Sequence, residues 1–288
     1  MKRQWHPAFV QLLRPSVGEH YEVKTSVPVG DAPRLADIVL LRRTSEGSLP
    51  FRGLWQHLTT WNVLEFKGPT VSPRAEHLDL LVELGLGIDR RLNEERERAG
   101  RAPLAPTEVS FWYVANHIGR RFLAGCREAA GELEDLGPGV WRCTVLRRPV
   151  FLVSGIDLPV EPDSLPMHLI GRESQERERE VGEFLLRHPA LWREYGGFLA
   201  ALHPKVWKEV EAMAKTRQRG FVFDLEPLVQ TVGLKKLLDV FGDERVVEQL
   251  GAARVAKLLG QEKFLSQLSA EERRQLIERL GGVAPPPK

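Results

Sequence analysis

Residues 35–41 read LADIVLL and residues 63–69 read VLEFKGP. The first is a β-rich apolar run broken by one acid, Asp37. The second is a short strand closed by Gly68-Pro69, with Glu65 and Lys67 one residue apart. Upstream, Tyr21 to Val29 (YEVKTSVPV) alternates like a strand, and Gly30-Asp31-Ala32-Pro33 carries turn chemistry. Strand, turn and strand predict a hairpin. The Glu65/Lys67 strand then follows as a third, after a connection from Arg42 to Asn62.

Outward from these strands the periodicity changes. Pro7 to Arg14 predicts a short helix with Phe9, Val10, Leu12 and Leu13 on one face, stopped by Pro15. Arg74 to Arg98 predicts a long amphipathic helix, since Leu78, Leu81, Val82, Leu84 and Ile88 recur at helical spacing, with Gly85 and Gly87 as weak points. Glu108 to Val114 reads as a strand and Ile118 to Glu134 as a helix. Trp141 to Val145 and Pro149 to Ser154 complete a small β set. This order predicts an α/β fold, a mixed sheet flanked by helices.

After about residue 170 the character shifts. Glu173 to Glu180 (ESQERERE) is a charge run read as a solvated helix face or linker. Beyond it the chain is expected to be all-helical. Leucine-bearing segments, Leu234 to Phe241, Glu244 to Leu250, Ala252 to Leu259, Phe264 to Leu268 and Glu271 to Leu280, are punctuated by Gly242, Gly251, Gly260 and Ser269 at about ten-residue spacing. Each is too short to stand alone and must pack on something. The expected division is 1–170, a first domain; 171–280, a helical C-terminal region; and 281–288 (GGVAPPPK), a disordered tail.

Composition narrows the function classes. The 42% hydrophobic content supports a buried core, and no apolar run approaches the ~20 residues that span a membrane, so a cytoplasmic protein without a membrane partner is expected. Cys126 and Cys143 lie in no CxxC pair, and the histidines lack zinc spacing, so both cysteines read as reduced structural thiols. A formal net charge of +2 permits a nucleic acid partner without demanding one.

The chemistry concentrates at three residues. Positions i and i+2 of a strand face the same way, so Glu65 and Lys67 project together while Phe66 turns to the other layer. Adjacent strands lie about 5 Å apart, which lets Asp37 come alongside Glu65. Two carboxylates so placed invite a hard cation such as Mg²⁺, and an ammonium beside them suits phosphodiester hydrolysis. Asp37 in an apolar run is costly unless it has such a partner.

An acid in one strand of a hairpin followed by ExK in the next, here LADIVLL and VLEFKGP, resembles the PD-(D/E)XK nuclease superfamily. Within it the chain is most similar to the Rpn-like recombination-promoting nucleases associated with transposases, which pair such a domain with a helical C-terminal part. The resemblance covers about residues 5 to 155. It implies a restriction-endonuclease-like sheet and cleavage of DNA with Mg²⁺ or Mn²⁺, with Asp37, Glu65 and Lys67 catalytic and Asp37 and Glu65 holding the metal. Some members add an acid near the first helix. Here that helix has none, and Glu19 is the upstream candidate. Arg42, Arg43, Arg52, Trp55, Trp61 and Arg74 flank the region as candidates for nucleic-acid contact. A structural reading stands beside this one for each: the tryptophans as a cluster anchoring the long loop, the arginines as solvated surface. The alternative function is a nuclease-fold protein without catalysis, an oligomeric interaction or DNA-binding module that forms a homo-oligomer through its C-terminal helices.

Overall fold

The computed structural model describes residues 5–25, 28–29, 34–35, 38–45, 47, 49–216 and 225–259. In chain order these hold α1 (Trp5–Val17), β1 (Tyr21–Thr25), β2 (Pro28–Val29), β3 (Arg34–Leu35), β4 (Ile38–Arg43), β5 (Trp61–Lys67), α2 (Ala75–Arg98), β6 (Val109–Ala115), α3 (Arg120–Ala130), β7 (Glu134–Gly137), β8 (Val140–Val145) and β9 (Arg148–Ser154). Helices follow: α4 (Leu165–Ile170), α5 (Gln175–Arg187), α6 (Pro189–Leu202), α7 (Pro204–Thr216), α8 (Glu226–Val232), α9 (Leu234–Phe241), α10 (Asp243–Leu250) and α11 (Ala252–Leu259). The chain is thus an α/β mixed sheet flanked by helices, followed by a helical C-terminal region. None of the described helices is long and apolar enough to cross a membrane.

Seven strands pair in the order β1-β4-β5-β6-β9-β8-β7, and β2 and β3 form a separate two-stranded ladder. The pairs β5/β6 and β6/β9 are parallel and the others antiparallel. Strand alternation gives the sheet two apolar faces. Val39, Leu41, Leu64, Trp112, Val114 and Phe151 point into one core with α1 and the C-terminal helices. Leu40, Val63, Phe111, Tyr113, Val150 and Leu152 point into another with α2 and α3. Each fully buried side chain of this size stabilises the fold by roughly 1.5–3 kcal/mol. The first core runs unbroken across residue 171, from Phe9 and Trp112 to Tyr195, Leu228 and Val246.

Local chemistry explains where the elements depart from expectation. The helix α2 runs straight through Gly85 because that glycine is a contact: a Cβ there would sit 2.5 Å from the Phe111 ring. Helix α1 continues past Pro15 to Val17, since its buried Phe9, Leu12, Leu13 and Val17 hold the last turn against the core. Helix α3 ends at Ala130, capped by Gly131 at φ 81°, and β7, absent from the sequence reading, follows. At the N-terminal ends of β5 and β6 a buried polar network fixes the register. Ser110 Oγ donates to Asn62 Oδ1 (2.7 Å), Trp112 Nε1 donates to Ser110 Oγ (2.8 Å) and Asn62 Nδ2 donates to the Thr59 carbonyl (3.0 Å).

The charge run at 173–180 is not a solvated face throughout. The Glu173 carboxylate is only 2% exposed and meets His168 Nδ1 at 2.5 Å, while Glu178 meets His203 Nδ1 at 2.9 Å. Glu173 and Glu178 are thus drawn inward, while Glu176, Arg179 and Glu180 on the same stretch are exposed. Helices α9, α10 and α11 are eight residues each, spaced by Gly233, Gly242 and Gly251 at φ near +80°, so the period is nine rather than ten. Leu228, Leu237, Val246 and Val255 occupy equivalent positions and are all buried. The predicted segments beyond residue 259, including Gly260, Ser269 and the tail, lie outside the described residues.

The β8–β9 hairpin turns on Leu146 and Arg147, both in the left-handed region (φ 47° and 68°). A two-residue turn with two positive φ values prefers Asn-Gly, and a left-handed non-glycine residue costs roughly 1–2 kcal/mol. Leu146 is 64% exposed, so it loses no core packing when replaced. The double substitution Leu146→Asn/Arg147→Gly is expected to stabilise the fold by about 1 kcal/mol. Urea denaturation checks this; an unchanged or lower midpoint would show that the turn is not strained.

Candidate functional site

The carboxyl end of β5 places Glu65 and Lys67 on the face that also carries Trp61 and Val63. Glu65 is buried, at 6% exposure, and Lys67 Nζ donates to its Oε1. The other carboxylate oxygen, Oε2, is buried and has no hydrogen-bond partner among the described residues. An ionised group stripped of water and left with a free oxygen is costly unless a cation or donor reaches it.

Parallel register brings Tyr113 of β6 directly opposite Glu65, and Ala115 opposite Lys67. The Tyr113 hydroxyl lies 3.0 Å from His77 Nδ1, and their rings stack. His77 comes from the first turn of α2, where the Arg74 backbone N–H also donates to Nδ1 (3.3 Å). Burial, and then the Glu65 charge, push the Tyr113 hydroxyl well above its ordinary value, so it stays protonated and donates. Burial lowers the His77 pKa, as do Lys67 and Arg74, against the raising influence of Glu65 and Glu76. A neutral ring that accepts at Nδ1 carries its proton at Nε2. The result is an acid with one open oxygen, an ammonium, and a neutral imidazole whose tautomer is set by two donors.

Asp37 lies outside the described residues. In the β4–β5 ladder the residue directly opposite Glu65 is Ile38, not Asp37 as the sequence suggested. Among the described residues, no three or more His, Cys, Asp or Glu side chains are grouped so as to hold a metal. The fit to a hard cation rests on the orphaned Glu65 oxygen, since Mg²⁺ takes oxygen ligands; Lys67 balances the Glu65 charge, so a second carboxylate has to complete the site.

The other sequence candidates divide. Arg74 stands at the site, since its charge acts on His77. Glu19 does not. It follows α1 and faces Glu194, whose pKa it helps to raise after burial. It adjoins Tyr21, which pairs with Arg43 at the far end of β4, roughly 17 Å of strand from Ile38. Trp55 is fully buried, 6.3 Å from the Trp112 ring, and has no face for a base. Arg52 precedes the buried Leu54 and Trp55 on the opposite side of the sheet. Arg42, Arg43 and Trp61 line a cleft at the other end of β5. Tyr113 and His77 escaped the sequence reading because only register and the entry of α2 put them beside Glu65.

Other reactive groups carry different roles. Cys126 and Cys143 are free and buried, and burial pushes their thiols up to about 12 and about 11, so neither is a nucleophile. His117, after β6, sits 3.4 Å from Asp157 Oδ2, which accepts from the Ser154 hydroxyl; Ser154 therefore meets the carboxylate and not the imidazole. Asp163, beside Glu161, is raised to about 6 by burial and then by its neighbour. A carboxyl raised from its ordinary 3.8 is penalised when it ionises in the folded state, and that penalty accrues between pH 4 and 6. Asp163→Asn is therefore expected to raise stability above pH 6 by about 1 kcal/mol, discounted for solvent screening, with the gain vanishing towards pH 4. Thermal melts across that range test it; a gain independent of pH would assign the effect to something other than this ionisation.

No protein-family model matches the chain, and neither a curated protein nor a solved structure matches it.

Proposed function

We propose that the chain is a metal-dependent nuclease of the PD-(D/E)XK type, Rpn-like and transposase-associated, that hydrolyses DNA phosphodiester bonds. The observation that carries this is the buried Glu65 carboxylate, with one oxygen unpartnered among the described residues and Lys67 on the other. Glu65 Oε2 and Asp37 would hold Mg²⁺ or Mn²⁺, which supplies a bound water of lowered pKa and charge stabilisation at phosphorus. Lys67 Nζ, anchored on Glu65 Oε1, presents its remaining protons to the attacking water and to a phosphate oxygen. His77 offers Nε2–H to a second phosphate oxygen, and the Tyr113 hydroxyl fixes its tautomer from behind.

Plasmid nicking with Mg²⁺ or Mn²⁺ tests the reading, comparing wild type with Asp37→Ala, Glu65→Gln and Lys67→Ala. Equal activity in all four proteins would remove the mechanism. The second reading is a nuclease fold without catalysis that assembles as a homo-oligomer through its C-terminal helices. Leu228, Leu237, Val246 and Val255 are spent inside this chain's own core, so such assembly would use the outward faces of α8 to α11. No Mn²⁺ binding by calorimetry together with no nicking would favour it.

A further inference from the structure

At the end of β5 away from Glu65 lies a cleft of about 560 Å³ between the β1–β4 edge and the last turns of α2. One wall carries Lys24 and Arg42, with Arg43 at its rim donating to the Ser45 and Gly47 carbonyls, and the other Arg91, Arg96 and Arg101. Among the described residues Glu95 is the one carboxylate in the lining, and it faces Arg91 Nε at 3.5 Å. Trp61 is also in the lining, with the Arg42 guanidinium 5.6 Å above its ring. Outside the cleft, Glu22 lies 3.3 Å from Lys24 and 3.8 Å from Arg42, so among the described residues the cations of the cleft outnumber the carboxylates beside them.

We propose that this cleft binds the sugar-phosphate backbone of single-stranded DNA. Five cations drawn from two sheet strands, a helix and the chain after it repel one another, and a polyanion relieves that repulsion where a single anion would neutralise one part of it. Positive walls with an aromatic ring between them are the arrangement that tracks a strand without reading its sequence, the ring stacking on a base. A single strand offers unpaired bases to the Trp61 ring, whereas a duplex keeps them stacked and paired, so the single strand is the occupant proposed. The site deepens the nuclease reading and rests on it for its purpose. Trp61 shares its face of β5 with Glu65 and Lys67, roughly 13–20 Å further along, but Val63 between them is buried beneath α2, so a strand held here reaches the carboxylate only by passing around that helix.

Fluorescence anisotropy with a labelled oligothymidylate of about 16 nucleotides, in EDTA so that nothing is cleaved, measures the binding directly. Wild type is expected to bind with a log–log salt slope near −3, about four phosphates. Lys24→Glu/Arg42→Glu on one wall and Arg96→Glu/Arg101→Glu on the other should each weaken binding at least ~10-fold and flatten the slope. Arg90→Glu/Arg98→Glu, the same charge change on α2 outside the lining, should cost much less. Single-stranded competitor should displace the probe better than duplex. Losses as large in the control, no loss from either wall, or stronger competition by duplex would each overturn the proposal. Wild type that binds but never nicks sinks the catalytic reading alone. Wild type that nicks while both wall variants bind normally sinks the cleft alone.

Discussion

Glu65→Gln is expected to lower metal-dependent nicking at least ~100-fold. The substitution keeps the shape of the side chain and its contact with Lys67 but removes the charge that a cation needs. Its signature is in affinity: Mn²⁺ binding by calorimetry should weaken together with the rate, and raising Mn²⁺ should recover part of the activity. Lys67→Met should behave differently. It leaves the Glu65 carboxylate in place and removes the donor, so Mn²⁺ binding should persist while the rate falls by a similar ~100-fold or more, with no rescue by metal. Identical metal affinity in wild type and Glu65→Gln would show that the open oxygen is not a ligand. His77→Gln, which lies a step further out, should cost about ten-fold.

The largest expected effect on stability is at His168. Its ring is fully buried, Nδ1 is 2.5 Å from Glu173 Oε1, and Nε2 is 3.1 Å from the Pro159 carbonyl. Arg177 is 3.6 Å from the other Glu173 oxygen. His168→Ala would leave the Glu173 carboxylate buried with Arg177 alone, besides opening a cavity where α4 meets α5. Breaking one side of a buried pair costs about 3–5 kcal/mol. Because the first core is continuous from the sheet to the C-terminal helices, the loss should appear as a single cooperative shift in urea unfolding. The double variant His168→Leu/Glu173→Leu should recover most of it, since no charge remains to be compensated. A cost below about 1 kcal/mol for His168→Ala would show that water reaches the pair and screens it.

The two predictions fall on residues that the sequence exposed very differently. The Glu65–Lys67 pair was legible because strand geometry is local: a period of two puts both side chains on one face whatever the sheet order. The C-terminal helices were legible for a related reason. Glycines at Gly233, Gly242 and Gly251 stop each short helix, and only a glycine takes the backbone conformation found there. His168 and Glu173 were not legible. A glutamate that opens a charge run looks solvated, and only the packing of α4 on α5 buries it.

The sequence by itself determined the α/β class, the strand that carries the acid and the lysine, and the helical character of the last third, since periodicity and turn chemistry act over a few residues. The tertiary structure decided which residues share a site. Parallel register set Tyr113 opposite Glu65, the entry of α2 delivered His77, and the same β1–β4 pairing that carries Lys24 and Arg42 to the cleft leaves Glu19 at the far end. Trp55, adjacent to a glutamine in the chain, went to the interior because the loop it anchors folds over Trp112. Pairing between strands and burial beneath helices depend on contacts dozens of residues apart, and no local pattern encodes them.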